Sequence, residues 1–179
     1  MFKLLFFVLP LLAFAQSKSG VGRPATADEI RQRNLSISPS GAGLPAGQGT
    51  AQQGKSIYDA ECASCHGSKL EGDPQKGYPA LAGGQGTINT PKPVKTVGSY
   101  WPHAPGVFDY IHRAMPYDHP RKLSADQVYA VTAYVLRVNG IVGDAEVMNA
   151  KTLPQVKMPN RDGFIPDTRN AKGKKTPAL

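Results

Sequence analysis

The sequence predicts an all-α fold: one small helical domain carried between two long irregular arms. Two observations lead there. Three stretches in the middle of the 179-residue chain carry apolar residues at helical spacing. Glycine and proline, 19 and 16 in number, are abundant throughout, including the flanks Gln16 to Gly54 and Ile141 to Leu179, whereas all seven tyrosines and the single tryptophan fall between about Gly49 and Gly140. Segments poor in aromatic and other large apolar residues cannot bury a core of their own, so the flanks are expected to be weakly structured. No internal repeat is visible, and the length suits one domain of ordinary size.

The chain opens M-F-K-L-L-F-F-V-L-P-L-L-A-F-A-Q: one basic residue, Lys3, a short apolar run, and the small-x-small spacing of Ala13-Phe14-Ala15. This reads as an export signal over residues 1–15, cut before Gln16. It is too short for a membrane span, which needs about 20 residues. The mature protein is therefore expected in the periplasm, with no membrane span once the signal is removed. An N-terminal arm covers 16–48, the helical domain 49–143 and a C-terminal arm 144–179.

Within the domain, Gln52 to Cys65 carries Ile57, Tyr58, Ala60 and Glu61 in the first helical pattern. A second runs from Pro105 to Met115, with residues 107, 108, 111, 114 and 115 on one apolar face. Pro116 ends it, because the residue before a proline is pushed out of helical geometry. Ser124-Ala125-Asp126-Gln127 has the form of a capping box, which opens the third helix. Val128, Val131, Val135 and Val138 mark its buried face, and Gly140 stops it.

The formal net charge is +8. No helix carries a basic stripe interleaved with aromatics, so nucleic acid is not the expected partner. An acidic protein surface, met with electrostatic steering, fits an exported basic chain better.

The only cysteines lie in E-C-A-S-C-H-G, residues 61 to 67. A disulfide between Cys62 and Cys65 would close a very short loop and stabilise little. A thioredoxin-like pair needs a βαβ setting, and a zinc site needs two further ligands that no second Cys pair or H-x-x-x-H supplies. C-x-x-C-H is instead the attachment signature of c-type haem. Cys62 and Cys65 add across the two vinyl groups, and His66 follows where it can reach the iron. One covalent haem c per chain is expected.

A haem held by His66 has a second axial position. The candidates are Met115, Met148 and Met158, or His103, His112 and His119. Methionine raises the reduction potential and a second histidine lowers it. Met115 stands where an apolar helical face turns into a loop. His112 also lies near that side of its helix, which leaves a bis-histidine form open.

The order helix, C-x-x-C-H, glycine-rich loops, helix, Met-Pro and capped final helix resembles the class I cytochrome c fold. The resemblance implies that the first and last helices cross and that Met115 is the distal ligand, so that His66 and Met115 together bind the iron. It also implies that the carbonyl of Pro79, in Tyr78-Pro79-Ala80-Leu81, accepts a hydrogen bond from the His66 ring; a plain turn proline is the competing reading. Met158-Pro159 repeats the dipeptide but has no helical face behind it.

Further stretches narrow the family. S-Y-W-P-H-A at 99–104, R-A-M-P at 113–116, L-S-A-D-Q-V-Y-A-V-T-A-Y-V-L-R-V-N-G-I-V at 123–142, and both arms resemble the cytochrome c subunits of bacterial sulfite and sulfane dehydrogenases. What that implies is a division of labour. A separate subunit with a molybdenum cofactor oxidises the sulfur compound, and this chain passes the electrons to another cytochrome c without substrate chemistry of its own. The chain lacks a second C-x-x-C-H, so it matches the single-haem type. Both arms are then expected to lie on the catalytic subunit. Tyr100 and Trp101 are candidates to cover the haem edge, and Arg113 to pair with a propionate or an acidic partner. The alternatives are a free-standing periplasmic electron carrier and, further off, a ligand-binding haem protein.

Overall fold

A computed structural model describes residues 21–165. The predicted export signal and the basic end of the C-terminal arm lie outside the described residues. The chain divides into two units, one up to Asn34 and one from Leu35 onward.

In the first unit, α1 (Ala27–Arg33) is a short helix built on local chemistry. The Thr26 hydroxyl accepts from the Glu29 N–H while the Glu29 carboxylate accepts from the Thr26 N–H, closing a capping box. Arg23 pairs with the same carboxylate at 2.5 Å.

The second unit is organised by two helices. Strand β1 (Gln48–Thr50) leads directly into α2 (Ala51–Glu61), which starts on a Thr50–Gln53 capping box. The last helix, α5 (Ala125–Val138), starts on the Ser124–Gln127 box and ends at Asn139, with Gly140 at φ 69° behind it. The two helices cross. Gly54 makes the crossing possible: a Cβ there would stand 1.9 Å from the Ala130 carbonyl oxygen and 2.8 Å from the Tyr134 Cβ. Between them in sequence come the single turn α3 (Ala63–His66), a 3₁₀ turn at Pro74–Lys76, and α4 (Ala104–Ala114). The core is mostly the inward faces of α2, α4 and α5: Tyr58, Val107, Phe108, Val128, Tyr129 and Leu136 are all buried. This is the expected all-α arrangement.

The arms differ from expectation in one respect. They are irregular, but much of their described length is not weakly structured. Strand β2 (Val147–Asn149) pairs antiparallel with β1, Gly49 opposite Met148. A 3₁₀ turn follows at Leu153–Gln155, and Met148, Leu153, Val156 and Met158 are all buried in the common core. From the other arm, Ile37 and Leu44 pack on the same core, and the Pro45 carbonyl accepts from the Tyr129 hydroxyl at 2.9 Å. These segments use the domain's core instead of building one. Among the described residues, no helix is long and apolar enough to cross a membrane.

Candidate haem site

The helix entering the site does not run straight through it. α2 ends at Glu61, Cys62 takes a non-helical conformation (φ −125°, ψ −33°), and α3 begins one residue later. The Cys62 carbonyl then accepts from the backbone N–H groups of Cys65, at 3.2 Å, and His66, at 2.9 Å. This hydrogen bonding brings Cys62, Cys65 and His66 onto one turn of backbone. Gly67, at φ 78°, ends it, and the Tyr58 hydroxyl donates to the Gly67 carbonyl at 2.8 Å. The core of α2 thus holds both ends of the motif.

Both cysteines are free and half-buried. Burial pushes the Cys62 thiol up to about 11, with the negative charges of Glu61 and Cys65 adding to the effect. Near neutral pH it stays protonated.

His66 Nδ1 lies 2.9 Å from the Pro79 carbonyl oxygen. A carbonyl can only accept, so Nδ1 carries the proton and the lone pair resides on Nε2, the nitrogen left for a metal. Pro79 is therefore not a plain turn proline. Its loop is held from several sides. Leu81 N–H donates to the Leu70 carbonyl at 2.8 Å, and Asp73 bridges Tyr78. Gly72 lies so close that a Cβ would stand 2.6 Å from the Pro79 carbonyl carbon. At the end of α5 the buried Asn139 side chain accepts from Gly83 N–H and donates to the carbonyls of Leu81 and Val135. Nothing in the sequence singles out Asn139 for this role: it stands one residue before the stop glycine, where an asparagine reads as an ordinary helix cap.

The three methionine candidates separate by burial. Met148 and Met158 are 2% and 3% exposed and belong to the hydrophobic core. Met115 caps α4, its N–H donating to the Ile111 carbonyl at 3.1 Å, and its side chain is only half-buried. His119 is exposed, 3.9 Å from Asp118. His103 and His112 each carry a buried Nδ1 without a hydrogen-bond partner among the described residues. Arg113 does not point freely outward: it forms a two-pronged ion pair with Asp109 one turn earlier on α4. Trp101 packs edge-on against Tyr110, and Tyr100 stands between the ring of Phe164 and the ammonium of Lys95.

Two free thiols and an imidazole on one helical turn, with the imidazole Nε2 uncommitted, and a half-buried thioether at the end of α4 together fit a covalently attached haem. The cytochrome c family profile matches residues 51–139, from the start of α2 to the end of α5. The chain belongs to the cytochrome c family. It is a class I cytochrome c, an electron-transfer protein whose cofactor is covalently bound haem c.

A more particular likeness is to a chain in the crystal structure of the sulfane dehydrogenase SoxCD from Paracoccus pantotrophus. The two share 41% identity and superpose with a TM-score of 0.76, over 90% of this chain and 81% of the other. Cytochrome c-554(547) of Halothiobacillus neapolitanus is 54% identical over 35 residues, which is 20% of this chain and 36% of that relative's length. The shorter match lends weight to the family and not to a partner.

Proposed function

We propose that this chain is the single-haem electron-transfer subunit of a periplasmic sulfite or sulfane dehydrogenase. It takes electrons from a molybdenum-containing catalytic subunit and delivers them to another cytochrome c. The observation that carries this reading is the extent of the likeness to the sulfane dehydrogenase chain, which covers nine-tenths of this one and so includes most of the arms as well as the haem domain. A free-standing carrier needs only the domain matched by the family profile.

Haem c supplies reversible one-electron chemistry at iron. The residues of this chain hold and orient it. Cys62 and Cys65 attach it through thioethers. His66 binds the iron through Nε2, its ring plane and tautomer held by the Pro79 carbonyl, which strengthens it as a donor. Met115 offers its thioether from the end of α4, a ligand that raises the potential. The excess of positive charge steers the molecule toward acidic surfaces. Residues 1–15 direct export to the periplasm.

The test is to co-express this chain with a molybdenum sulfite-oxidase-type subunit and follow haem absorbance and molybdenum through size exclusion at submicromolar concentration. Co-elution, with haem reduction on adding sulfite or a sulfane donor, is the expected result. Separate elution with no reduction would overturn the subunit reading and leave the free carrier.

A further inference from the structure

The loop that aims the Pro79 carbonyl at His66 is held at its far end by a residue outside the haem motif. A proline has no N–H with which to anchor itself, so the direction of its carbonyl depends on how the flanking peptides are held. Upstream, Tyr78 exchanges two backbone hydrogen bonds with Asp73, each at 2.9 Å. Downstream, the N–H groups of Leu81 and Ala82 share the Leu70 carbonyl, and Asn139 Oδ1 takes the Gly83 N–H at 3.1 Å. The Gly83 carbonyl is met by a different segment: the Thr96 hydroxyl donates to it at 2.6 Å. Gly83 is itself exposed, and a Cβ there would meet nothing within 4 Å. Hydrogen bonds, not packing, therefore hold it, and without them its peptides would be free to turn toward water.

The direction of the Thr96 bond follows from counting hydrogens. Thr96 and Ser99 are buried, and each hydroxyl carries one hydrogen. That of Ser99 goes to the Val94 carbonyl at 2.6 Å, while its oxygen accepts the Thr96 N–H at 2.9 Å. The Thr96 oxygen accepts the Gly98 N–H at 3.1 Å. The Thr96 hydrogen is thus left for the Gly83 carbonyl. A chain from N–H to hydroxyl to carbonyl is polarised in one direction, which strengthens its members. Gly98 makes the approach possible, since a Cβ there would stand 2.1 Å from Asn139 Oδ1 and 2.7 Å from Gln85 Nε2. Gln85 Nε2 in turn donates to the Asn139 carbonyl at 3.0 Å. Thr96 and Asn139 therefore fix two successive peptides of one loop, four residues after Pro79.

We infer that Thr96 is a positioning residue for the proximal ligand: by fixing Gly83 it keeps the Pro79 carbonyl on His66 Nδ1 and so sets the donor strength of the imidazole. This rests on His66 as the axial ligand proposed above. A held Nδ1–H···O bond makes Nε2 a stronger donor, which favours the oxidised iron. Loosening that bond is therefore expected to raise the midpoint potential.

The experiment uses the isotope-labelled full-length holoprotein and the variants Thr96→Val, Thr96→Ser and Thr132→Val. Thr132 is the control: it is fully buried, and its hydroxyl bonds to the Val128 carbonyl within α5 at 2.7 Å. The readouts are the NMR signal and exchange rate of the His66 Nδ1 proton in the reduced, diamagnetic state, and the midpoint potential. Thr96→Val is expected to speed exchange of that proton several-fold, shift its signal and raise the potential. Thr96→Ser keeps the hydroxyl and is expected to retain all three wild-type values, as is Thr132→Val, whatever stability it loses. A Thr96→Val protein that is less stable but keeps the wild-type proton signal, exchange rate and potential would overturn the inference. So would Val and Ser variants that behave alike, or the same shifts in Thr132→Val. Where Thr96→Val does not assemble, Ser99→Ala removes the acceptor of the Thr96 N–H and is expected to give smaller shifts in the same direction; wild-type values there overturn the inference too. Absence of any iron-ligated His66 signal from the wild type would instead strike the ligand assignment, so the two failures are distinguishable.

Discussion

The chain contains the dipeptide Met-Pro twice, and the two copies occupy opposite physical situations. Met115-Pro116 ends an amphipathic helix, with the sulfur side chain half-buried where the backbone leaves α4. Met158-Pro159 lies in the C-terminal arm, and Met158 is 3% exposed within the hydrophobic core. The same two letters therefore supply an available thioether in one place and a packing element in the other. What separates them is not the dipeptide but what stands behind it. A helix that aims a side chain at the edge of the core leaves it free to bind, whereas an arm laid over the core uses its methionine to fill space.

Exchanging the roles is the direct way to break this comparison. Met115→Ala is expected to abolish the near-infrared thioether-to-iron band and lower the reduction potential, with only a small loss of stability. Met158→Ala is expected to keep the band and cost about 2–5 kcal/mol, the range for truncating a buried large side chain. Guanidinium unfolding of each holoprotein, with the near-infrared spectrum recorded beside it, checks both. A band that persists in Met115→Ala and vanishes in Met158→Ala would reverse the assignment.

The scaffold under both methionines can be loosened separately. Gly54→Val places a side chain against the Ala130 backbone where α2 crosses α5. It is expected to cost about 3 kcal/mol by overpacking, while the folded fraction keeps its near-infrared band. A smaller effect, about 2 kcal/mol, is expected from Asn139→Leu, which leaves the Gly83 N–H and the Leu81 carbonyl without their partner. Because that loop carries Pro79, faster hydrogen exchange at Leu81 and Gly83 is the local readout. Unchanged exchange there would show that the loop is held from the Leu70 side alone.

Legibility followed the range of the interactions concerned. The boundaries of α5 could be read because a capping box and a stop glycine act within a few residues. The C-x-x-C-H turn could be read because its spacing is dictated by the chemistry of one cofactor. The end of α4 was legible from Pro116 alone. The role of the C-terminal arm was not. Met148, Leu153, Val156 and Met158 follow neither a helical nor a strand period, since each is held by a different part of the core, and Val147–Asn149 pairs with a strand almost 100 positions earlier in the chain. The Thr50–Gln53 box was as readable as the one at Ser124, and noticing it would have placed the start of α2 at Ala51. Arg113 had the correct helical spacing to Asp109 for an ion pair, yet nothing local says whether such a pair forms or gives way to a partner.

By itself the sequence determined the cofactor and the order of the three helices, and it predicted Cys62 and Cys65 as the thioether anchors and His66 as the proximal ligand. Each of these depends on residues adjacent in the chain or one helical turn apart, where covalent geometry leaves little choice. Only the tertiary structure decided that Met148 and Met158 are packing, that Pro79 turns its carbonyl to His66, that Asn139 ties the haem-side loop to α5, and that His112 keeps a buried nitrogen without a hydrogen-bond partner among the described residues. Those outcomes depend on which distant segments come to share one core, and on which polar groups are left unpaired once the core has closed.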